Sequence, residues 1–220
     1  GDVSDRLSGA GRALTGGDPR AYRDSLVALT IAGITSLVAG VTLALTTDTL
    51  EELPGLLLLV PAALAVKGNI FGALGSRLGT SIHTGTFRLS GRLDTVAGAN
   101  IAGAMLLSLV IAVAIALLAK GVAIVFSISP TMSVADFVVV STVGGVAASV
   151  FILAITLLLA GGSVRYGWDL DNVVSPLVTA TSDVVSLPAL VLAASLASVA
   201  GVTPVLATVL IAAAVVGLVW

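Results

Sequence analysis

Two ionisable residues, Lys67 and Asp183, lie within long stretches of this sequence that otherwise carry no charge. An ionisable group at membrane depth is costly unless it is paired, hydrated or functional. A carboxylate attracts cations, and an amino group beside it can neutralise it while no cation is bound. The two residues are therefore the first candidates for a functional site.

Asp183 belongs to a row of polar residues that recur at the spacing of one helix face. The row consists of Asn172, Ser175, Thr179, Asp183 and Ser186, with successive intervals of 3, 4, 4 and 3 residues. A polar stripe that includes a carboxylate is what a hydrated cation pathway requires. The alternative is a structural role, in which Asp183 pairs with Lys67 or accepts hydrogen bonds from neighbouring hydroxyls.

The pair Ser175-Pro176 has the residue types of a helix N-cap followed by the first helical position. The sequence therefore predicts that the membrane helix carrying Asp183 properly starts at Pro176. With a rise of about 1.5 Å per residue, Asp183 would lie roughly 10 Å from the helix start. That depth is short of the middle of an apolar core about 30 Å thick.

Lys67 lies in the segment Lys67-Gly68-Asn69, at the start of a run of regularly spaced glycines. These are Gly68, Gly72, Gly75 and Gly79, separated by 4, 3 and 4 residues. One face of this helix therefore has almost no side chains, and a neighbouring backbone can approach it closely. Helix packing alone explains such a face, but its combination with Lys67 and Asn69 favours a functional interface.

The composition indicates a protein whose solvent is largely lipid. Of the 220 residues, 57% are hydrophobic and 10% charged, and the formal net charge is −2. A soluble domain needs about a quarter of its residues charged, and a nucleic-acid binder needs a basic surplus. A cytosolic enzyme, a disordered chain and a nucleic-acid partner are thereby excluded. The absence of cysteine also excludes thiolate metal sites and disulfides.

The uncharged runs predict an all-α fold, because about 20 apolar residues span a bilayer as a helix. We expect a polytopic membrane bundle with a five-helix core over residues 24–200 and an additional C-terminal helix over 203–220. The core helices are expected at about 19–47, 53–77, 95–119, 134–164 and 173–200.

Basic residues are concentrated before the first helix, between the second and third, and after the fourth. This bias predicts a cytoplasmic N-terminus and a multi-pass protein of the cell membrane. Within residues 1–23, Val3, Leu7, Ala10 and Leu14 recur at helical spacing, which indicates a segment lying on the cytoplasmic interface. A partly disordered tail is the alternative for this segment.

Two segments of the chain resemble the MgtE-type domain of the solute carrier family 41 magnesium transporters, in a short, single-domain prokaryotic form. The first contains Lys67-Gly68-Asn69, Ser76-Arg77-Leu78-Gly79-Thr80 and Thr84-Gly85, and the second contains Asp171-Asn172, Ser175-Pro176 and Ser182-Asp183. They correspond to the second and fifth helices of that domain. Together with the five-helix spacing, the resemblance covers roughly residues 24–200.

The resemblance implies a magnesium transporter or channel, not an enzyme, in which the ion passes between the second and fifth helices of a homodimer. It places Asp183 at the central ion site. Because Mg²⁺ dehydrates reluctantly, Ser175, Thr179 and Asn69 are expected to bind the ion through its water shell. The other pore or gating candidates are Lys67, Gly68, Asn172 and Ser186.

Charge arithmetic points to the same assembly, because a divalent ion in an apolar setting needs more than the one carboxylate of this row. A two-fold dimer brings two copies of Asp183 to one axis. A carboxylate site also admits Mn²⁺, Co²⁺ or Ca²⁺ to some degree. The sequence leaves open whether transport is coupled to sodium. It also leaves two roles for Lys67, which either neutralises Asp183 or points into helix packing. The alternative function is a non-transporting helical subunit that needs a different partner chain to complete a pore.

Overall fold

The computed structural model describes residues 19–46, 55–167, 170–197 and 203–219, with the side chains of 22–46, 55–167, 173–195, 197 and 203–219. These residues form six helices. They are α1 (Pro19–Leu45), α2 (Leu56–His83), α3 (Val96–Val125), α4 (Val134–Tyr166), α5 (Leu170–Ala197) and α6 (Thr203–Val219). No strand occurs in these four ranges. The all-α prediction is confirmed, and the expected interfacial segment falls on residues 1–18, outside this description, and on the first turns of α1.

Five of the helices, α1 to α5, are long and apolar enough to cross a membrane. The sixth helix has 17 residues, which at about 1.5 Å per residue gives a length near 26 Å, slightly less than a bilayer core of about 30 Å. The chain is therefore a multi-pass membrane protein by length and composition. Buried side chains are few on α1, where 17% of the most apolar window is buried, so its surface is largely exposed to the surrounding solvent or lipid.

The start of α5 differs from the expectation. The helix begins at Leu170, so Ser175 and Pro176 lie inside it and are not its cap and first residue. Pro176 is the seventh residue of α5, so it removes the hydrogen bond that its N–H would have donated to the carbonyl four residues earlier, and it can kink the helix there. Asp183 is consequently the fourteenth of 28 residues. It lies midway along the helix, deeper than the sequence predicts.

The helices α5 and α4 form the centre of the bundle. α5 packs against α1, α2 and α4, whereas α3 packs against α2, α4 and α6. The final helix α6 rests on α3 and α4, on the opposite side of the bundle from α1. The functional candidates on α2 and α5 therefore belong to two helices in direct contact.

Two separate apolar cores lie one above the other along the bundle. The first contains Leu56, Phe137 and Leu190, and the second contains Phe71, Ile152 and Val178. A polar layer separates them, and it consists of Lys67, Ser108, Ser149, Ser182, Asp183 and Ser186. Both ionisable residues of the sequence analysis are therefore at the same level of the bundle.

The glycine face of α2 packs directly on α5. A methyl group built on Gly68 would lie 3.2 Å from Thr179 Cγ2, and one on Gly72 would lie 3.7 Å from Ser175 Oγ. At Gly75 the added methyl would overlap Val174 Cγ1. The expected close approach of a second backbone is therefore present, and it occurs at the polar row of α5.

This packing predicts different costs for the same substitution at two positions of α2. We expect Gly75→Ala to lower the free energy of unfolding by about 1–3 kcal/mol, because Val174 is stiff and buried and cannot move aside easily. Gly72→Ala has an ordinary contact distance and is expected to be neutral or stabilising by helix propensity, by up to about 1 kcal/mol. Thermal unfolding of the purified variants in detergent measures both, and equal effects would contradict the packing described here.

Candidate ion-binding site

Asp183 borders a cavity of about 200 Å³ between α1, α2 and α5. The cavity wall includes Ala39 and Gly40 of α1, Leu64 of α2, and Leu187 of α5. The side chain of Asp183 is half-buried, and the side chain of Ser36 on α1 lies close to its carboxylate. The carboxylate is thus held at one edge while space remains beside it. Such an arrangement can hold a cation or its water shell.

Two of the predicted ligands, Ser175 and Thr179, lie where α5 meets the glycine face. Both residues are exposed although Gly72 and Gly68 lie directly against them. On α5 they precede Asp183 by one and two helical turns, which places the three side chains along one face. The structure therefore brings Ser175, Thr179 and Gly68 together at the contact of α2 with α5, and none of the three lines the Asp183 cavity.

The polar row continues into the interior beyond Asp183. Ser186 is 2% exposed, and its hydroxyl has no hydrogen-bond partner among the residues described. Ser182, next to Asp183, is buried and donates to the carbonyl of Leu64 at 3.3 Å. The side chain of Asn172, the first member of the row, lies outside the described residues.

Lys67 points into helix packing. Its Nζ donates hydrogen bonds to Ser108 Oγ on α3 and to Ser149 Oγ on α4, the latter at 2.9 Å. The two hydroxyls are 2.6 Å apart. Gly145 makes room for the amino group, since a methyl group there would lie 3.2 Å from Nζ.

The structure decides between the two alternatives for Lys67. The side chain is 3% exposed, it forms no ion pair with Asp183, and it is absent from the wall of the Asp183 cavity. The interpretation of Asp183 as one half of a buried ion pair with Lys67 is therefore wrong. The physical reason is that the lysine stem leaves α2 toward α3 and α4, whereas α5 contacts the glycine face.

Asn69 lies on a third side of α2, different from the side of Lys67 and from the glycine face. It is exposed and borders a different cavity, together with Arg77 of α2 and Asn100 of α3. Within one chain, Asn69 and Asp183 therefore share no cavity. Any contact of both residues with one ion requires a second copy of the chain or a movement of α2.

The ion-binding capacity of a single chain is low. In the described ranges no group of three His, Cys, Asp or Glu side chains could hold a metal ion. The ion pairs there, Arg23 with Asp24 and Arg92 with Asp94, lie away from the Asp183 cavity. One carboxylate and several hydroxyls can orient water around a cation but cannot neutralise a divalent charge.

Several partners of the key residues do not follow from the sequence patterns. Ser108 and Ser149 are isolated hydroxyls in apolar runs, and that isolation is a signal that could have identified them. Ser36 is hidden among other hydroxyls of α1, of which Thr30, Thr35 and Thr42 bond to carbonyls of their own helix. Ser36 differs from these threonines only in that it lies where α1 approaches α5.

The surroundings of Lys67 predict coupling between Lys67 and Ser149. We expect Ser149→Ala to reduce the free energy of unfolding by about 1–3 kcal/mol, because a buried donor loses an acceptor. In a Lys67→Met background the same change is expected to cost at least about 1 kcal/mol less, since the donor is gone.

A double-mutant cycle by thermal unfolding in detergent measures this coupling. Ser76→Ala, an exposed serine on the same helix as Lys67, is the control and should be additive with Lys67→Met. Additive effects of Ser149→Ala and Lys67→Met would show that the hydrogen bond is absent.

Comparison with known proteins identifies one family. A family model described as MgtE, divalent cation transporter, matches residues 60–193, which is more than half of the 220-residue chain. The match begins on α2 and ends near the end of α5, and it includes Lys67, Ser175, Thr179 and Asp183. No curated protein and no solved structure matches the chain.

Proposed function

Since the chain belongs to the MgtE family of divalent cation transporters, we propose that it carries Mg²⁺ across the cell membrane as a homodimer whose central ion site contains Asp183 from each chain. The observation that carries this proposal is a carboxylate midway along a membrane-spanning helix, with a cavity beside it. The side chain of Ser36 lies close to it, and no basic side chain pairs with it among the described residues. A carboxylate in that setting favours a mobile cation as its counter-charge.

The dimer follows from charge and from exposure. Two carboxylates on a two-fold axis supply the −2 that a divalent ion needs, and one chain supplies half of it. Ser175 and Thr179 are exposed polar side chains in the second and third turns of a membrane-spanning helix, and polar groups there favour contact with water or with another protein surface over contact with lipid. We therefore place the two-fold axis beside this face of α5.

Hydrated magnesium fits the donor set better than a bare ion. Mg²⁺ keeps several waters and binds through few carboxylates, and the hydroxyls of Ser175 and Thr179 can accept or donate hydrogen bonds to those waters. Asn69 borders a separate cavity within one chain, and it joins this shell only if α2 moves. Mn²⁺, Co²⁺ and Ca²⁺ meet the same oxygen donors and are expected as substrates to some degree, since affinity alone does not select among these ions.

Lys67 acts on this site through structure. Its amino group is held by Ser108 and Ser149, while the next residue, Gly68, packs against Thr179. Lys67 thereby fixes the rotation of α2 that presents the glycine face to α5. The unpartnered hydroxyl of Ser186, three residues beyond Asp183, supplies a further group that water can reach if the pathway extends along the row.

Removal of the α5 carboxylate tests the ion site. We expect Asp183→Ala and Asp183→Asn to lower magnesium flux into proteoliposomes at least tenfold, because each removes the negative charge that attracts the ion. Asp94→Asn is the matched control, since Asp94 is exposed and pairs with Arg92 in the α2–α3 loop. Wild-type flux in both Asp183 variants would remove Asp183 from the pathway.

The same flux assay separates a channel from an exchanger. A channel carries Mg²⁺ down its own gradient at a rate that an opposing sodium gradient leaves unchanged, whereas a sodium-coupled exchanger stops when sodium is omitted.

Competition by Mn²⁺, Co²⁺ and Ca²⁺ in this assay ranks their affinities for the site. The absence of cysteine from the chain permits the assay on cross-linked single-cysteine variants.

The position of the dimer axis is tested by cross-linking. We expect Ser175→Cys to form a disulfide-linked dimer in the membrane, because the proposed axis lies beside this exposed face of α5. Leu118→Cys is the control, since Leu118 is 68% exposed on α3 and lies away from α5. A monomer by native mass spectrometry, or a complex with a different chain, would instead favour a subunit that needs another partner to complete a pore.

A further inference from the structure

A second cavity of the described chain lies on a different side of α2 from the Asp183 cavity. It has a volume of about 570 Å³ and lies between α2, α3 and α6. Its wall is mostly apolar, with Leu74, Ala104 and Leu107 among its residues. Of its polar members, Arg77 and Asn100 lie toward one end of α2 and α3, and Asn69 lies about two turns deeper on α2. The cavity is therefore a groove with an apolar length and a basic end.

Arg77 has no anionic partner in the described chain. Its Nη1 donates to Asn100 Oδ1 at 3.2 Å, and the ion pairs recorded involve Arg23 and Arg92 instead. A guanidinium has five N–H donors, so most of those of Arg77 are available. Asn100 is itself oriented by a bond from Nδ2 to its own helix, at the carbonyl of Val96.

The depth of Arg77 matches the headgroup region of a bilayer. Arg77 lies six positions before His83, the last residue of α2. The distance from Arg77 to the end of the helix is therefore about 9 Å along its axis. The predicted orientation puts this end of α2 at the cytoplasmic leaflet, whose lipids carry negative charge. The apolar length of the groove then extends from the headgroup level toward the middle of the membrane.

The far wall of the groove is made by the additional helix. Gly217 of α6 packs so closely on Leu106 of α3 that a methyl group there would overlap it, and Gly217 and Leu218 both border the groove. These α6 residues lie beyond the 60–193 range that matches the transporter family. The groove is therefore completed by a part of the chain outside the family match.

We propose that this groove binds one anionic phospholipid, with its phosphate on Arg77 and Asn100 and an acyl chain along the apolar wall. Arginine binds phosphate through two parallel hydrogen bonds, and basic pockets between membrane helices on the cytoplasmic side suit acidic headgroups. A second copy of the chain is a poorer occupant, because a two-fold contact through this face would set its basic patch against itself. The proposal is independent of the transported ion.

The headgroup contact is tested with lipids of equal chain length. Native mass spectrometry of the detergent-purified protein, titrated with phosphatidylglycerol or phosphatidylcholine, is expected to show at least fivefold preference for phosphatidylglycerol. Arg77→Gln is expected to abolish that preference. Arg92→Gln, which removes an exposed arginine already paired with Asp94, should keep it.

The acyl-chain contact is tested by filling the groove. Gly103 and Gly121 both lie on α3 with open space where a side chain would begin, and only Gly103 borders the groove. We expect Gly103→Leu to lower retention of phosphatidylglycerol at least fivefold and Gly121→Leu to leave it unchanged. Thermal unfolding midpoints within a few degrees of wild type would confirm that both variants are folded.

Three results would overturn the proposal. They are equal binding of the two lipids by the wild-type protein, full phosphatidylglycerol preference in Arg77→Gln, and a disulfide-linked dimer of Gly103→Cys in the membrane. The last result would assign the groove to a second copy of the chain. Each readout is binding or cross-linking, so failure of magnesium transport has no bearing on it.

Discussion

The close contact between the glycine face of α2 and the polar row of α5 is the constraint on which the other features depend. Gly68, Gly72 and Gly75 allow the two backbones to approach until Thr179, Ser175 and Val174 fill the space. In lipid, such packing replaces the hydrophobic driving force between helices. Because α5 covers this face, every longer side chain of α2 must leave in another direction.

That geometry separates the two buried ionisable residues. Lys67 extends toward α3 and α4 and satisfies its amino group with hydroxyls, whereas Asp183 borders a cavity beside α1, close to Ser36. A buried carboxylate paired with lysine would be neutral and inert toward cations. Keeping the two residues apart leaves the carboxylate without an ion-pair partner among the described residues, and a carboxylate in that state can attract a cation from water.

The sequence predicts the features that depend on periodicity and composition. It does not predict the features that depend on which helices pack against one another. Uncharged runs identify the helices, and the 4, 3, 4 spacing of the glycines identifies the packed face of α2. The Ser175-Pro176 pair misleads about the start of α5, because six residues of the helix precede Pro176, and the proline interrupts its backbone hydrogen bonds without ending it. The direction of Lys67 and the approach of Ser36 depend on how helices distant in sequence are arranged, and no local pattern contains that information.

The polar layer between the two apolar cores also fixes how far α2 is displaced along its neighbours in the direction of the helix axes. A slip of α2 by one turn, about 5.4 Å, would carry the Lys67 amino group away from Ser108 and Ser149 and into one of the cores that contain Leu59 or Phe71. The hydroxyls beside the cores, those of Ser141, Thr142 and Thr156, already donate to backbone carbonyls, so a slip in either direction would separate the amino group from the pair of hydroxyls that now holds it. Apolar contacts between helices in lipid depend little on the displacement of one helix along another. The hydrogen bonds of the polar layer therefore determine that displacement for α2, α3 and α4.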